Sequence, residues 1–157
     1  MAAGDIKNAY APKATVTISP ASVTNGSARE STVISNTSNL YRDYLLRVVA
    51  KGQASGTSVI NIYAYAALGD TTYTDGATGS DAAFTAANRL NSVFVGAVQM
   101  NQTTSVTAGP FSVAAAFGGT LPDKFGFIAV NNSGATLSTT AGDHVWEVEG
   151  VYQTVAQ

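Results

Sequence analysis

Hydrophobic and polar positions alternate with a period of two along most of this chain, and no long stretch carries the three-to-four residue period of an amphipathic helix. The clearest alternation is "SVINIYAYAAL" at residues 58–68: Val59, Asn61, Tyr63 and Tyr65 fall on one strand face, Ile60, Ile62 and Ala64 on the other. "KFGFIAVNN" at 124–132 sets Phe125, Phe127 and Ala129 against Gly126, Ile128 and Val130. "HVWEVEGVYQTV" at 144–155 sets Val145, Glu147, Glu149 and Val151 against Trp146, Val148 and Tyr152. Shorter strands are predicted at "KATVTIS" (13–19, stopped by Pro20), "ESTVISN" (30–36), "TTSVTAG" (103–109) and "RLNSVFVGAVQM" (89–100, weakened or bulged at Gly96).

Two segments fit both periods. In "LYRDYLLRVVAKG" (40–52) a helix would align Tyr41, Leu45 and Val48, and a strand would align Tyr44, Leu46 and Val48. The β-branched pair Val48–Val49 and the closing Gly52 favour the strand. "FSVAAAF" (111–117) fits one helical turn, or a strand with Phe111, Val113, Ala115 and Phe117 on one face; "GGTLP" then breaks it. Turn signals lie at "NGS" (25–27), "TSN" (37–39) and "NSG" (132–134). "QASGT" (53–57) reads as the loop of a hairpin joining 40–52 to 58–68, and "GDTTYTDGATGSD" (69–81) as a polar, glycine-rich loop. Residues 1–12 have no period and end at Pro12. They read as an extended N-terminal arm, poorly ordered alone, ahead of a body at 13–157.

Many short strands separated by turns make this an all-β chain: a single-domain antiparallel β-sandwich, with the jelly roll as the favoured form. No repeat of ~20–50 residues and no linker divides it. Without cysteines it lacks the Cys…Trp…Cys pattern of immunoglobulin domains.

Composition narrows the function. Only 11% of the 157 residues are charged, and eight basic against ten acidic residues are scattered. Binding to nucleic acid by counterion release needs clustered Lys and Arg, so no nucleic-acid partner is expected. A surface rich in Ser, Thr, Asn and Gln has few charges to desolvate and suits flat contact with protein, including copies of itself as a dimer or trimer. The absence of cysteine removes disulfides and thiolate metal sites. "MAAGDIKNAYAPK" has no basic-then-apolar signal pattern, and no apolar run nears the ~20 residues of a membrane helix, so no membrane partner is expected. Asn25, Asn36, Asn101 and Asn131 each begin an N-x-Ser/Thr triplet, read as chance in a chain so rich in Ser and Thr.

Candidate chemistry is sparse. His144, the single histidine, could serve as a base with Asp143 or another acid orienting it, but no G-x-S-x-G elbow supplies a nucleophile; a surface turn residue opening the last strand is the plainer reading. Asp70, Asp75 and Asp81 share one loop and could offer oxygen ligands to calcium, but their spacing is not that of an EF-hand, and Asp and Gly are also ordinary turn residues. Glu147 and Glu149 lie about 7 Å apart on one strand face. That suits two glycosidase carboxylates, and it equally suits a solvent face or a charged sheet edge. Tyr63, Tyr65, Tyr73 and Trp146 could form an aromatic platform for sugar, or be core. Gly118–Gly119 is no phosphate loop, since no lysine follows in a strand-to-helix context. The expectation is no catalytic residue, no metal ligand and no cofactor.

The segments "NTSNLYRDYLLRVVAKGQASGT", "VINIYAYAALGDTTYTDGATGSD", "PFSVAAAFGGTLPDKFGFIAVNNSG" and "GVYQTV" resemble small structural proteins of tailed bacteriophages, namely capsid decoration (cement) proteins and, less often, tail components. The resemblance runs from about Asn36 to the end and is most specific over residues 110–134. It implies a jelly-roll or related sandwich that sits on an icosahedral shell as a dimer or trimer, bridges neighbouring major capsid protein subunits, and resides on the virion surface after synthesis in the host cytoplasm. It also implies a task for the N-terminal arm, ordering on contact with a neighbour. Ile6 and Tyr10 are the apolar anchors expected there. The alternatives are a carbohydrate-binding jelly roll and a tail or neck component.

Overall fold

A computed structural model describes residues 4–52, 58–100 and 104–155. It is 46% strand and 9% helix, in two antiparallel sheets that form an all-β sandwich. The strands are β1 (Ile6–Tyr10), β2 (Ala14–Thr15), β3 (Ala28–Glu30), β4 (Ile34–Ser35), β5 (Asp43–Ala50), β6 (Ser58–Ala67), β7 (Ala82–Phe84), β8 (Val93–Met100), β9 (Val106–Ser112), β10 (Lys124–Asn131) and β11 (Val145–Val155). One helical turn, α1 (Val113–Ala116), follows β9. The first sheet runs β1-β11-β5-β9, with β2 also on β11; the second runs β7-β3-β10-β6-β8, with β4 also on β10.

The ambiguous segment 40–52 is a strand, and "FSVAAAF" divides: Phe111 and Ser112 end β9, and the next four residues make the helical turn. That turn is capped by Ser112, whose Oγ accepts from the Ala115 amide at 3.0 Å. The expected hairpin between 40–52 and 58–68 does not form. β5 pairs with β11 and β9, while β6 pairs with β10 and β8, in the opposite sheet. Each strand has an apolar face to bury, and crossing to the facing sheet buries both inner faces against one another. The connecting residues 53–57 lie outside the described residues.

The core lies between the sheets. Tyr44, Leu46, Val48, Trp146 and Val148 of the first sheet meet Ile60, Ile62, Val98, Phe125 and Phe127 of the second. Ring pairs span the gap, Tyr44 to Phe125 at 5.3 Å and Phe127 to Trp146 at 6.2 Å between centroids.

A second, smaller core lies on the outer face of the second sheet. The segments on either side of β7 fold back over that face, so Tyr65, Ile128 and Val130 are buried with Ala28 and Ala77 and packed against Tyr73, Ala86 and Phe84 of β7. This explains why β10 is buried on both faces. Gly126 lies under the Tyr65 ring, and a Cβ there would come within 2.3 Å of it. The flap is pinned by carboxylates. Glu30, 1% exposed, accepts from the Thr78 amide at 2.9 Å and the Thr78 hydroxyl at 2.7 Å. Tyr65 donates to the Ser31 carbonyl at 2.6 Å; burial, followed by the neighbouring Glu30 charge, pushes its pKa far above that of an ordinary phenol.

Candidate functional site

The residues weighed as chemistry are mostly structural ties. Asp75 accepts from the Asn91 amide at 2.9 Å, the Ser92 amide at 2.7 Å and the Ser92 hydroxyl at 2.6 Å. Partial burial raises its pKa, but the bonds from Ser92 and Asn91 outweigh that and hold the carboxyl below its ordinary value. Asp81 accepts from Ser19 Oγ and Arg29 Nε, both at 2.6 Å, and is lowered in the same way, with Arg29 and Ser19 outweighing burial. Asp70 accepts from the Thr72 amide at 2.9 Å. The three carboxylates serve three different partners, and no group of three acidic or histidine side chains that could hold a metal occurs among the described residues.

His144 is not on the surface. It is 7% exposed, with Nε2 3.2 Å from the Ser138 carbonyl oxygen. Burial lowers its pKa, partly offset by that bond and by Asp143. Asp143 instead accepts from Ser138 Oγ at 2.5 Å, with Lys51 Nζ at 3.5 Å. The aromatic platform is not assembled: Trp146 is in the central core, whereas Tyr65 and its edge-on neighbour Tyr73 belong to the outer one. Asn131 is buried and donates to the Val23 and Ala135 carbonyls, and buried Asn36 pairs with the Tyr41 backbone, so both triplets are part of the fold. Asn101 lies outside the described residues.

What stands out is the edge of the first sheet. The segment read as an arm supplies β1, which pairs along its whole length with the end of β11, from Ile6 opposite Val155 to Tyr10 opposite Val151. The last four residues of β11 are exposed on both faces. β1 and the end of β11 therefore make a two-stranded ribbon at the edge of the sandwich. Directly opposed residues share a face. Ile6, Tyr10 and Val155 share the outer face, 68%, 55% and 63% exposed, with Ile6 beside Val155 and Tyr10 beyond the polar Asn8–Gln153 pair. The Ala11 amide donates to the Gly150 carbonyl at 2.9 Å, so the alternation of an antiparallel ladder turns the backbone groups of Ile6, Asn8 and Tyr10 away from β11, toward the open edge. Among the described residues no strand pairs with that edge.

The same outer face continues inward from the ribbon to a cavity of about 220 Å³ lined by Lys13, Leu45, Arg47, Gly109, Pro110, Val148 and Glu149, among others. A bulge creates it. Between Phe111 and Ala108, β9 has two residues, Gly109 and Pro110, where β5 has Arg47 alone. Gly109 permits this: its φ is +102°, and a Cβ would stand 2.4 Å from the Leu46 carbonyl oxygen. Along one wall Arg47 binds Glu147 through Nε at 2.8 Å and Nη2 at 2.5 Å, with Lys13 at 3.7 Å. The Arg47 hydrogen bond is the main reason the Glu147 carboxyl sits below its ordinary pKa. Glu147 and Glu149 both line the cavity and differ in environment: Glu147 is tied to two cations, and Glu149 to none among the described residues. No family model matches this chain, and neither does any curated protein or solved structure.

Proposed function

We propose that this chain is a non-enzymatic virion structural protein of a tailed phage, a capsid decoration (cement) protein that binds the assembled shell and bridges neighbouring capsid subunits. The observation that carries this reading is the ribbon. It exposes Ile6 beside Val155, and Tyr10 four residues along the same face, next to an open strand edge, with Lys7 the one basic side chain in its two strands. Apolar side chains beside unpaired backbone donors and acceptors are what a protein partner can cover by adding a strand or a flat surface. Few charges need desolvation there. The resemblance over residues 36–157 supports the same class.

We also read the sandwich as a jelly roll. The orders β1-β11-β5-β9 and β3-β10-β6-β8 support it, because these eight strands alternate between sheets in chain order except at the β6–β8 pair, as in two Greek keys, a plan used by viral capsid domains. In this mechanism each bound copy favours the assembled shell over separated subunits by mass action, and many copies add avidity.

Cryo-electron microscopy of the virion that encodes this chain tests the proposal. Ordered copies bridging capsomers, with the Ile6–Tyr10 ribbon at the contact, are expected. Copies confined to the tail, or none in the particle, would overturn it. In a companion assay, the Ile6→Asp/Tyr10→Asp variant should melt like the wild type and fail to decorate shells.

A further inference from the structure

We propose that the cavity beside the ribbon is a socket for one basic side chain, Lys or Arg, presented by the protein that docks on this face. The inference deepens the docking reading and rests on it for the identity of the partner; the chemistry of the socket rests on its own walls.

Size decides first. Sites for cofactors and drug-sized ligands occupy roughly 300–1,000 Å³. At about 220 Å³ this hollow suits a side chain better than a whole small molecule. Its walls decide next. Leu45 and Pro110 are apolar, and the stems of Lys13 and Arg47 add methylene surface; Val148 contributes backbone, its side chain being in the core. A ligand with a three- or four-carbon stem could therefore shed water from it.

Charge decides last. The Arg47 guanidinium is taken by Glu147, and Lys13 lies 3.7 Å from the same carboxylate oxygen. Glu149 also lines the cavity, and its carboxylate makes no hydrogen bond or ion pair with the described residues. Extending the β2–β11 register by one residue puts Lys13 opposite Glu149, so Lys13 is the cation able to compete for it. A hollow whose wall carries the closed Arg47–Glu147–Lys13 group, apolar surface from Leu45 and Pro110, and one further carboxylate, Glu149, matches an aliphatic stem ending in an ammonium or guanidinium. A carboxylate or phosphate ligand would meet Glu149 head on and find both cations already engaged. The position fits a docking role, since Val151, the residue opposite Tyr10, is the next outward-facing residue of β11 after Glu149.

The test is an amide-resolved NMR titration of the full chain with N-acetyl-arginine N-methylamide, beside the norleucine analogue, which keeps the stem and lacks the charge. The arginine probe is expected to give saturable shifts confined to Leu45, Arg47, Gly109 and Glu149, with half-saturation on the order of 10 mM, as weak one-residue contacts give. The norleucine probe should bind several-fold more weakly. Glu149→Gln should weaken the arginine probe about threefold to tenfold, in keeping with a charge-assisted contact, and the same spectra report whether that variant is folded. Equal shifts from both probes, shifts elsewhere, or an unchanged response in Glu149→Gln would overturn the socket. The comparison of the two probes on the wild type needs no variant. A chain that decorates shells without these shifts keeps the ribbon reading and loses the socket; one that shows the shifts without decorating does the reverse.

Discussion

Replacing Gly126 by Ala adds one methyl where the second sheet has no room for it. The new Cβ would lie 2.3 Å from both Cζ and Oη of Tyr65. Tyr65 is fully buried, its hydroxyl is held 2.6 Å from the Ser31 carbonyl oxygen, and its ring meets Tyr73 edge-on at 5.5 Å between centroids. To make room, the ring has to leave that bond or push the flap outward. Overpacking of this kind costs about 1–3 kcal/mol, and stranding a buried carbonyl adds roughly 1–3 kcal/mol if the bond breaks. Stiffening the unfolded chain returns about 0.4–1 kcal/mol. A net loss of about 2–3 kcal/mol follows from these ranges. Urea denaturation would show it as a midpoint lowered by about 1 M, for a slope near 2 kcal/mol per molar. A double-mutant cycle with Tyr65→Leu isolates the contact between the glycine and the ring. Once the ring is gone, Gly126→Ala should be neutral or slightly stabilising, so the two changes should couple by about 2–3 kcal/mol. Additivity within about 0.5 kcal/mol would refute the claim that the glycine exists for the tyrosine.

Three further outcomes follow from the described contacts. His144 has a folded pKa below its ordinary 6.5, so the unfolded chain takes up the proton first. Stability should be full above that value and should fall as pH drops from there through the folded pKa, by at most about 1.4 kcal/mol per pH unit. Urea midpoints between pH 8 and 5 would show the slope, and His144→Gln should flatten it. Asp75→Ala removes the bonds to Asn91 and Ser92 and should cost about 1–2 kcal/mol by the same denaturation; no loss would mean that the flap is held by its apolar contacts alone. Because Asp75 and Asp81 already serve protein donors, chelator should leave the melting temperature within about 1 °C, whereas a larger drop would reveal a metal bound to the native state.

The strand faces of 58–67, 124–131 and 145–155 are legible in the sequence because alternation is a local property: Phe125 and Phe127 face the core for the same reason that they are two residues apart. Which sheet a strand joins is not local. Segments 43–50 and 58–67 look like hairpin arms, yet their partners lie far along the chain, at 145–151 and 124–131. The burial of His144 is hidden for a similar reason, since Ser138, its bonding partner, lies in a segment with no strand period. The small outer core is concealed by composition. Residues 69–81 are polar enough to read as a plain loop, and Tyr73 together with Phe84 just beyond is the signal that they cover something. Glu149 is visible in the alternation; the hollow beside it is not, because the bulge at Gly109–Pro110 belongs to a strand 40 residues away.

The position of β11 at the middle of the first sheet has a consequence for synthesis on the ribosome. Every strand of the second sheet lies at or before Asn131, so that sheet has all its members once residue 131 has emerged. The first sheet then holds only β5 with β9, because β1 and β2 pair with β11 alone. The 24 residues from there to Val155 must still emerge before β11 can join it. For that interval the nascent chain exposes much of the apolar surface around Phe127 and Ala129 that Trp146 and Val148 later cover, and β1 waits unpaired. β1 and β11, far apart in the chain, complete the first sheet together.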